Sequence, residues 1–119
     1  MDDTDLRERT FNFSRRIIRL YASLAKEPLP QIIGKQCLRS GTSIGANYRE
    51  AYRARSKAEF VAKIGDCLKE AEETQYWLEL MIAEEIVPEN KIDKLVAEAN
   101  ELVAIFVSSM NTAKSNATS

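Results

Sequence analysis

Four stretches of this 119-residue chain place apolar or small residues at alternating steps of four and three, and prolines stand at two of the breaks between them. That spacing returns a side chain to one face of an α-helix every one or two turns, so each stretch reads as a helix with a packing seam. In the first, expected over residues 5–26, the seam is Leu6, Thr10, Phe13, Ile17, Leu20 and Leu24, with Thr4 as N-cap. In the second, 30–54, it is Ile33, Cys37, Ser40, Ile44, Asn47 and Ala51. In the third, 57–84, it is Phe60, Ile64, Cys67, Ala71, Thr74, Leu78 and Met81, and Ser56 and Glu59 fit a capping box at its start. In the fourth, 88–110, it is Ile92, Leu95, Ala99, Leu102, Phe106 and Met110. Pro28, Pro30 and Pro88 cannot continue a helix but can open one. Residues 111–119 are small and polar and are expected to fray.

Four long amphipathic helices joined by short connections predict antiparallel neighbours. The expected fold is all-α, one up-down-up-down antiparallel four-helix bundle spanning residues 1–119. Ser40-Gly41-Thr42-Ser43 is a weak patch inside the second helix; its small residues either admit a neighbouring helix closely or kink the segment.

Composition narrows the function. The chain has no histidine, which excludes Ser-His-Asp and Cys-His catalysis and His-ligated metals. Its two cysteines, Cys37 and Cys67, are too few for a structural zinc site, and their seam positions predict buried free thiols. No catalytic residue, metal site or cofactor is expected. The acidic opening Met1-Asp2-Asp3-Thr4-Asp5 lacks an apolar signal core, and no apolar run approaches the ~20 residues of a membrane span. A cytoplasmic location without membrane contact is the expectation.

The net charge of −1 conceals a split. Residues 1–63 carry thirteen Lys/Arg against seven Asp/Glu, and residues 64–119 carry four against eleven. Such a split suits a polyanion-binding face, two surfaces that attract each other in an assembly, or pairing within one monomer. The candidates for phosphate contact are Arg15, Arg16 and Arg19 on the first helix, with Arg49, Arg53, Arg55 and Lys57 around the second turn. Asn47, Glu50 and Glu70 are expected to form a buried polar network that fixes helix register; the alternative is acid–base work by the two carboxylates. Apolar residues off the seams, including Phe11, Ile18, Tyr48, Tyr52, Tyr76 and Trp77, would either form interface patches or widen the monomer's own core.

The segment Ser43-Ile44-Gly45-Ala46-Asn47-Tyr48-Arg49-Glu50-Ala51, then Ser56-Lys57-Ala58-Glu59-Phe60, then Cys67-Leu68-Lys69-Glu70-Ala71, resembles the four-helix-bundle proteins encoded in intervening sequences of bacterial 23S ribosomal RNA genes. The family pattern is Ser-Ile-x-x-Asn-x-x-Glu, Ser-x-x-Glu-Phe and a Ser-Leu-x-Glu-like turn. Here Ala51 stands where Gly commonly follows the Glu, and Cys67 where Ser is common. The resemblance implies a homopentamer with no established catalytic activity. The related accessory proteins of diversity-generating retroelements look like basic pentameric barrels that bind RNA and a reverse transcriptase, and the net charge of this chain departs from that basic pattern.

Three functions remain open on the sequence. The first is a non-enzymatic, self-assembling scaffold or accessory protein. The second is an RNA- or other nucleic-acid-binding module acting through a basic face. The third is an enzyme using Glu50 and Glu70.

Overall fold

The computed structural model describes the backbone of residues 3–118 and the side chains of residues 5–115. Within that range the chain forms α1 (Asp3–Ser23), α2 (Pro28–Tyr52), α3 (Lys57–Ala83) and α4 (Glu89–Thr118), with no strand among the described residues.

The helix ends follow local chemistry. Helix α1 stops at Ser23 rather than at Lys26, because Pro28 already opens α2 and forces Glu27 into extended backbone (φ −106°, ψ 159°). Pro30 then falls in the first turn, where its missing N–H leaves no bond unmade. Thr4 lies inside α1 instead of capping it, and its side chain is outside those described. Helix α3 starts where the capping box places it: the Ser56 side chain accepts from the Glu59 N–H at 3.1 Å. It ends in a Schellman motif, with Glu85 in the left-handed region (φ 58°) and the Ile86 N–H donating to the Met81 carbonyl at 2.8 Å. The expected fray after Met110 is instead continued helix to Thr118, in a stretch with neither Gly nor Pro to stop it.

Consecutive helices pack side by side, α1 and α4 close the bundle more loosely, and the diagonal pairs stay apart. The pairing is antiparallel throughout. Gly41 meets Ile17 while Gly45 meets Thr10; Thr74 meets Ser40 while Cys67 meets Ile44; Gln75 meets Asn100 while Gly65 faces Met110. The rod measures 51 × 21 × 20 Å. No helix among the described residues is long and apolar enough to cross a membrane.

The core follows the seams. All six first-helix positions are buried, as are Ile64, Cys67, Ala71, Thr74, Leu78 and Met81 of α3 and Ile92 to Phe106 at seam spacing in α4. Helix α2 departs from a single seam because it serves two neighbours. Gly41 and Gly45 let α1 approach: a Cβ on Gly41 would stand 2.8 Å from Ile17 Cγ1. Cys37, Ser40 and Ile44 are buried in the core, with Ser40 and Ile44 meeting α3. The rotation that accommodates both buries Tyr48 (2% exposed), whose ring lies 6.3 Å from that of Phe106, and leaves Asn47 half-buried.

Candidate functional site

Arg7 and Phe11 are one turn apart on α1, and Arg49 and Arg53 are one turn apart on α2. The antiparallel register brings them together near the α2–α3 turn, around a cleft of about 310 Å³ completed by Glu8 and Tyr52. The guanidinium of Arg7 lies 4.1 Å from the centre of the Tyr52 ring, and that of Arg49 lies 5.5 Å from the centre of the Phe11 ring. Each such stacking contributes about 0.5–1 kcal/mol at an exposed position. Both rings remain substantially exposed. The Arg7 Nε is buried without a hydrogen-bond partner. Arg7, Arg49 and Arg53 make no ion pair among the described residues, so the cleft presents unneutralised guanidinium groups beside open aromatic surface. That combination accepts carboxylates or phosphates together with an apolar or planar group.

The seven basic residues singled out from the sequence do not converge on one face. Arg49 and Arg53 line the α1–α2 cleft. Arg16 and Arg19 line a groove of about 540 Å³ between α1 and the start of α4, where Lys91, Lys94 and Asp93 join them. Arg55 and Lys57 border a third groove of about 930 Å³, floored by Leu6, Tyr48, Phe60 and Ile105. Arg15 stands exposed on α1. Arg7 was not among the seven. Its i, i+4 relation to Phe11 is visible in the sequence, but its value depends on Tyr52, which only the α1–α2 register supplies.

Part of the charge split is neutralised within the monomer. Arg9 on α1 forms a bidentate pair with Glu98 on α4 (2.6 and 3.0 Å) and reaches Glu101 at 3.3 Å. The hydrogen-bonded Glu98 carboxylate raises the Arg9 pKa. Arg39 on α2 holds Glu70 at 3.3 Å and also Glu73 on α3. These last pairs are exposed enough to contribute at most ~1 kcal/mol each.

Asn47, Glu50 and Glu70 do not share one network. Glu50 points to solvent, its side chain 57% exposed, and pairs with Lys63 at 3.2 Å, a contact that raises the Lys63 pKa. Glu70 pairs with Arg39, and Asn47 is half-buried. The cause is the α2 rotation described above, which turns the Glu50 position outward. The buried polar contact between α2 and α3 is Ser40 with Thr74 instead. Cys37 and Cys67 are buried free thiols, and burial pushes both pKa values up to about 12. Neither is a thiolate nucleophile near neutral pH.

Across the bundle, α3 and α4 frame a cleft of about 400 Å³ lined by Gln75, Glu79, Ile82, Glu89, Val96 and Asn100. Glu72, Glu79 and Glu89 are exposed and, among the described residues, without an ion-pair partner.

No curated protein matches the chain. Among solved structures, it is similar to a protein of unknown function from the S23 ribosomal protein family of Bacteroides thetaiotaomicron. The two share 40% identity over 93% of this chain and 99% of the other, with a TM-score of 0.86. The seams, the proline breaks and the Ser56 cap thus belong to a fold seen in a solved structure, and residues 2–108 match the family model as well: the chain is a member of the 23S rRNA-intervening sequence protein family.

Proposed function

We propose that this protein is a non-enzymatic, self-assembling bundle of the bacterial cytoplasm, acting as a scaffold or accessory component. One observation carries the reading. Phe11, Ile18, Ile32, Tyr52 and Tyr76 are each 44–61% exposed on the sides of a bundle whose own core is already filled by the seam residues. Large apolar side chains left exposed on α1, α2 and α3 of a small rod are surface that association would bury, at about 25 cal/mol per Å². The absence of histidine and the two protonated, buried thiols fit a role without covalent chemistry. The expected number of subunits, five, comes from the family resemblance alone. Sedimentation at micromolar concentration is the test: a ring of five has about five times the 13.5 kDa chain mass, and a stable 13.5 kDa species would overturn the reading.

A second reading rests on the α1–α2 cleft, where stacked arginines and open rings suit the phosphates and bases of single-stranded RNA. In that case binding weakens steeply with salt and shows little sequence preference. Changing Arg7, Arg49 and Arg53, which line that cleft, to Ala reduces it. Absence of RNA binding at low salt would remove this reading and leave the scaffold.

A further inference from the structure

We infer that the α1–α2 cleft binds a single nucleotide by its terminal phosphomonoester, with Arg7, Arg49 and Arg53 on the phosphate and the rings of Phe11 and Tyr52 against the base. The inference rests on the second reading above and narrows its ligand from a strand of RNA to one phosphorylated nucleotide, free or at the end of an RNA. Phe11 and Tyr52 then serve the ligand, and Ile18, Ile32 and Tyr76 remain for association.

Charge selects the form of the phosphate. In the cleft three guanidinium groups meet one carboxylate, that of Glu8, which leaves a surplus of two positive charges. None of the four is ion-paired among the described residues, whereas Arg9, Arg39 and Lys63 are each matched inside the monomer. A phosphomonoester carries a charge of about −1.5 to −2 near neutral pH and matches that surplus; an internal phosphodiester carries only one negative charge. The guanidinium groups also have donors to spare. Stacking on Tyr52 at 4.1 Å holds Arg7 in place, and its Nε is buried without an acceptor. Buried donors are ordinarily satisfied by the protein itself. A guanidinium pinned by stacking, with its N–H groups unused, is positioned for bidentate contact with phosphate oxygens.

Size and surroundings limit the ligand to one nucleotide. At about 310 Å³ the cleft stands at the small end of ligand sites, which run from about 300 to 1,000 Å³. The neighbouring basic residues do not extend it into a track. Arg55 and Lys57 border a groove with an apolar floor, and Arg16 and Arg19 line another between α1 and the start of α4. A strand held along its backbone needs a continuous basic groove; a terminal phosphate does not. The rings supply the rest of the site. Phe11 and Tyr52 are 51% and 44% exposed although each carries a guanidinium, so each still offers ring surface on which a base can stack.

Isothermal titration calorimetry on the full chain tests this. The probes are AMP, adenosine, inorganic phosphate, phenyl phosphate, and one short oligoadenylate with a phosphate at its 5′ end, at its 3′ end or at neither. AMP should bind at least about tenfold more tightly than adenosine or inorganic phosphate, and a phosphate at one end should tighten the oligoadenylate by a similar factor. Tighter binding of AMP than of the oligomers identifies the free nucleotide as the ligand, and the reverse identifies the strand end; either supports the inference. Arg53→Gln, at an exposed position without a stacked ring, should weaken AMP binding at least about tenfold, and Glu8→Gln should tighten it, both with an unchanged melting temperature. Arg16→Gln with Arg19→Gln, in the other groove, should leave it unchanged. Oligoadenylate bound equally with and without a terminal phosphate overturns the inference and spares the RNA reading. Phenyl phosphate bound more tightly than AMP, or AMP binding indifferent to Arg53→Gln, also overturns it. No binding of any probe at low salt overturns both.

Discussion

The hydroxyl of Thr74 donates to the Ser40 hydroxyl at 2.8 Å across the α2–α3 interface, where both residues are fully buried. The Ser40 hydroxyl in turn donates a hydrogen bond to the Cys37 carbonyl at 3.3 Å, and Thr74 Oγ1 also lies 2.8 Å from the Glu70 carbonyl. This pair takes the place that Asn47, Glu50 and Glu70 were expected to fill. Two hydroxyls satisfy each other and the backbone without burying a charge, which would cost far more.

The pair should show coupling. In Thr74→Val the Ser40 oxygen keeps its backbone bond but loses its donor, with an expected cost of about 1–2 kcal/mol. In Ser40→Ala, Thr74 can turn its proton to the Glu70 carbonyl, so the cost should be smaller, about 1 kcal/mol. Because the two losses share one contact, the double variant should be more stable than the sum of the single effects implies. Denaturant unfolding of the three variants measures this, and strict additivity would refute the coupling.

What the sequence made legible was repetition. Each α1 seam residue from Leu6 to Leu20 is buried because one strip of that helix faces the bundle interior along its length, and Leu24, just past its end, is buried with them. The same reasoning misplaced Asn47, because a four–three repeat presumes one seam. Helix α2 instead meets α1 through Gly41 and Gly45 and α3 through Ser40 and Ile44, and so brings Tyr48 inward. The pairings Arg7–Tyr52 and Arg49–Phe11 were illegible for a related reason: each joins residues far apart in sequence, and their register is fixed by packing between helices. Arg55 and Lys57 are neighbours of Arg53 in sequence, but the turn carries them to a different groove.

Two glycines should respond oppositely to alanine. At Gly65 an added Cβ would meet only the Met110 Cε, at an ordinary 3.7 Å, so Gly65→Ala should gain about 1 kcal/mol from helix propensity. At Gly41 the Cβ would stand 2.8 and 2.9 Å from the two γ carbons of Ile17. A β-branched side chain in a helix has one favoured χ1 and cannot swing aside. Gly41→Ala should therefore lose a net 1–2 kcal/mol or so despite the same propensity gain. Thermal melts compare them directly; equal shifts would show that α1 can back away from α2 at little cost.

The buried thiols should make stability fall in alkali. In the folded protein, desolvation holds Cys37 and Cys67 near pKa 12, whereas a thiol in the unfolded chain titrates near ~8.5. Below pH ~8 both states keep their protons, so the thiols add no pH dependence there. As pH climbs from ~8.5 toward 12, the unfolded chain releases protons that the folded one retains. The unfolded state gains and stability declines, by up to about 1.4 kcal/mol per thiol per pH unit. Tyrosines and lysines titrate in the same range, so the comparison is with Cys37→Ala, Cys67→Ala, which shares them. That variant should be less stable at pH 7, having lost two buried sulfur atoms, yet decline more gently between pH 8.5 and 10.5. Parallel declines in the two proteins would mean that the folded thiols ionise as readily as exposed ones, and that the seams around them admit water.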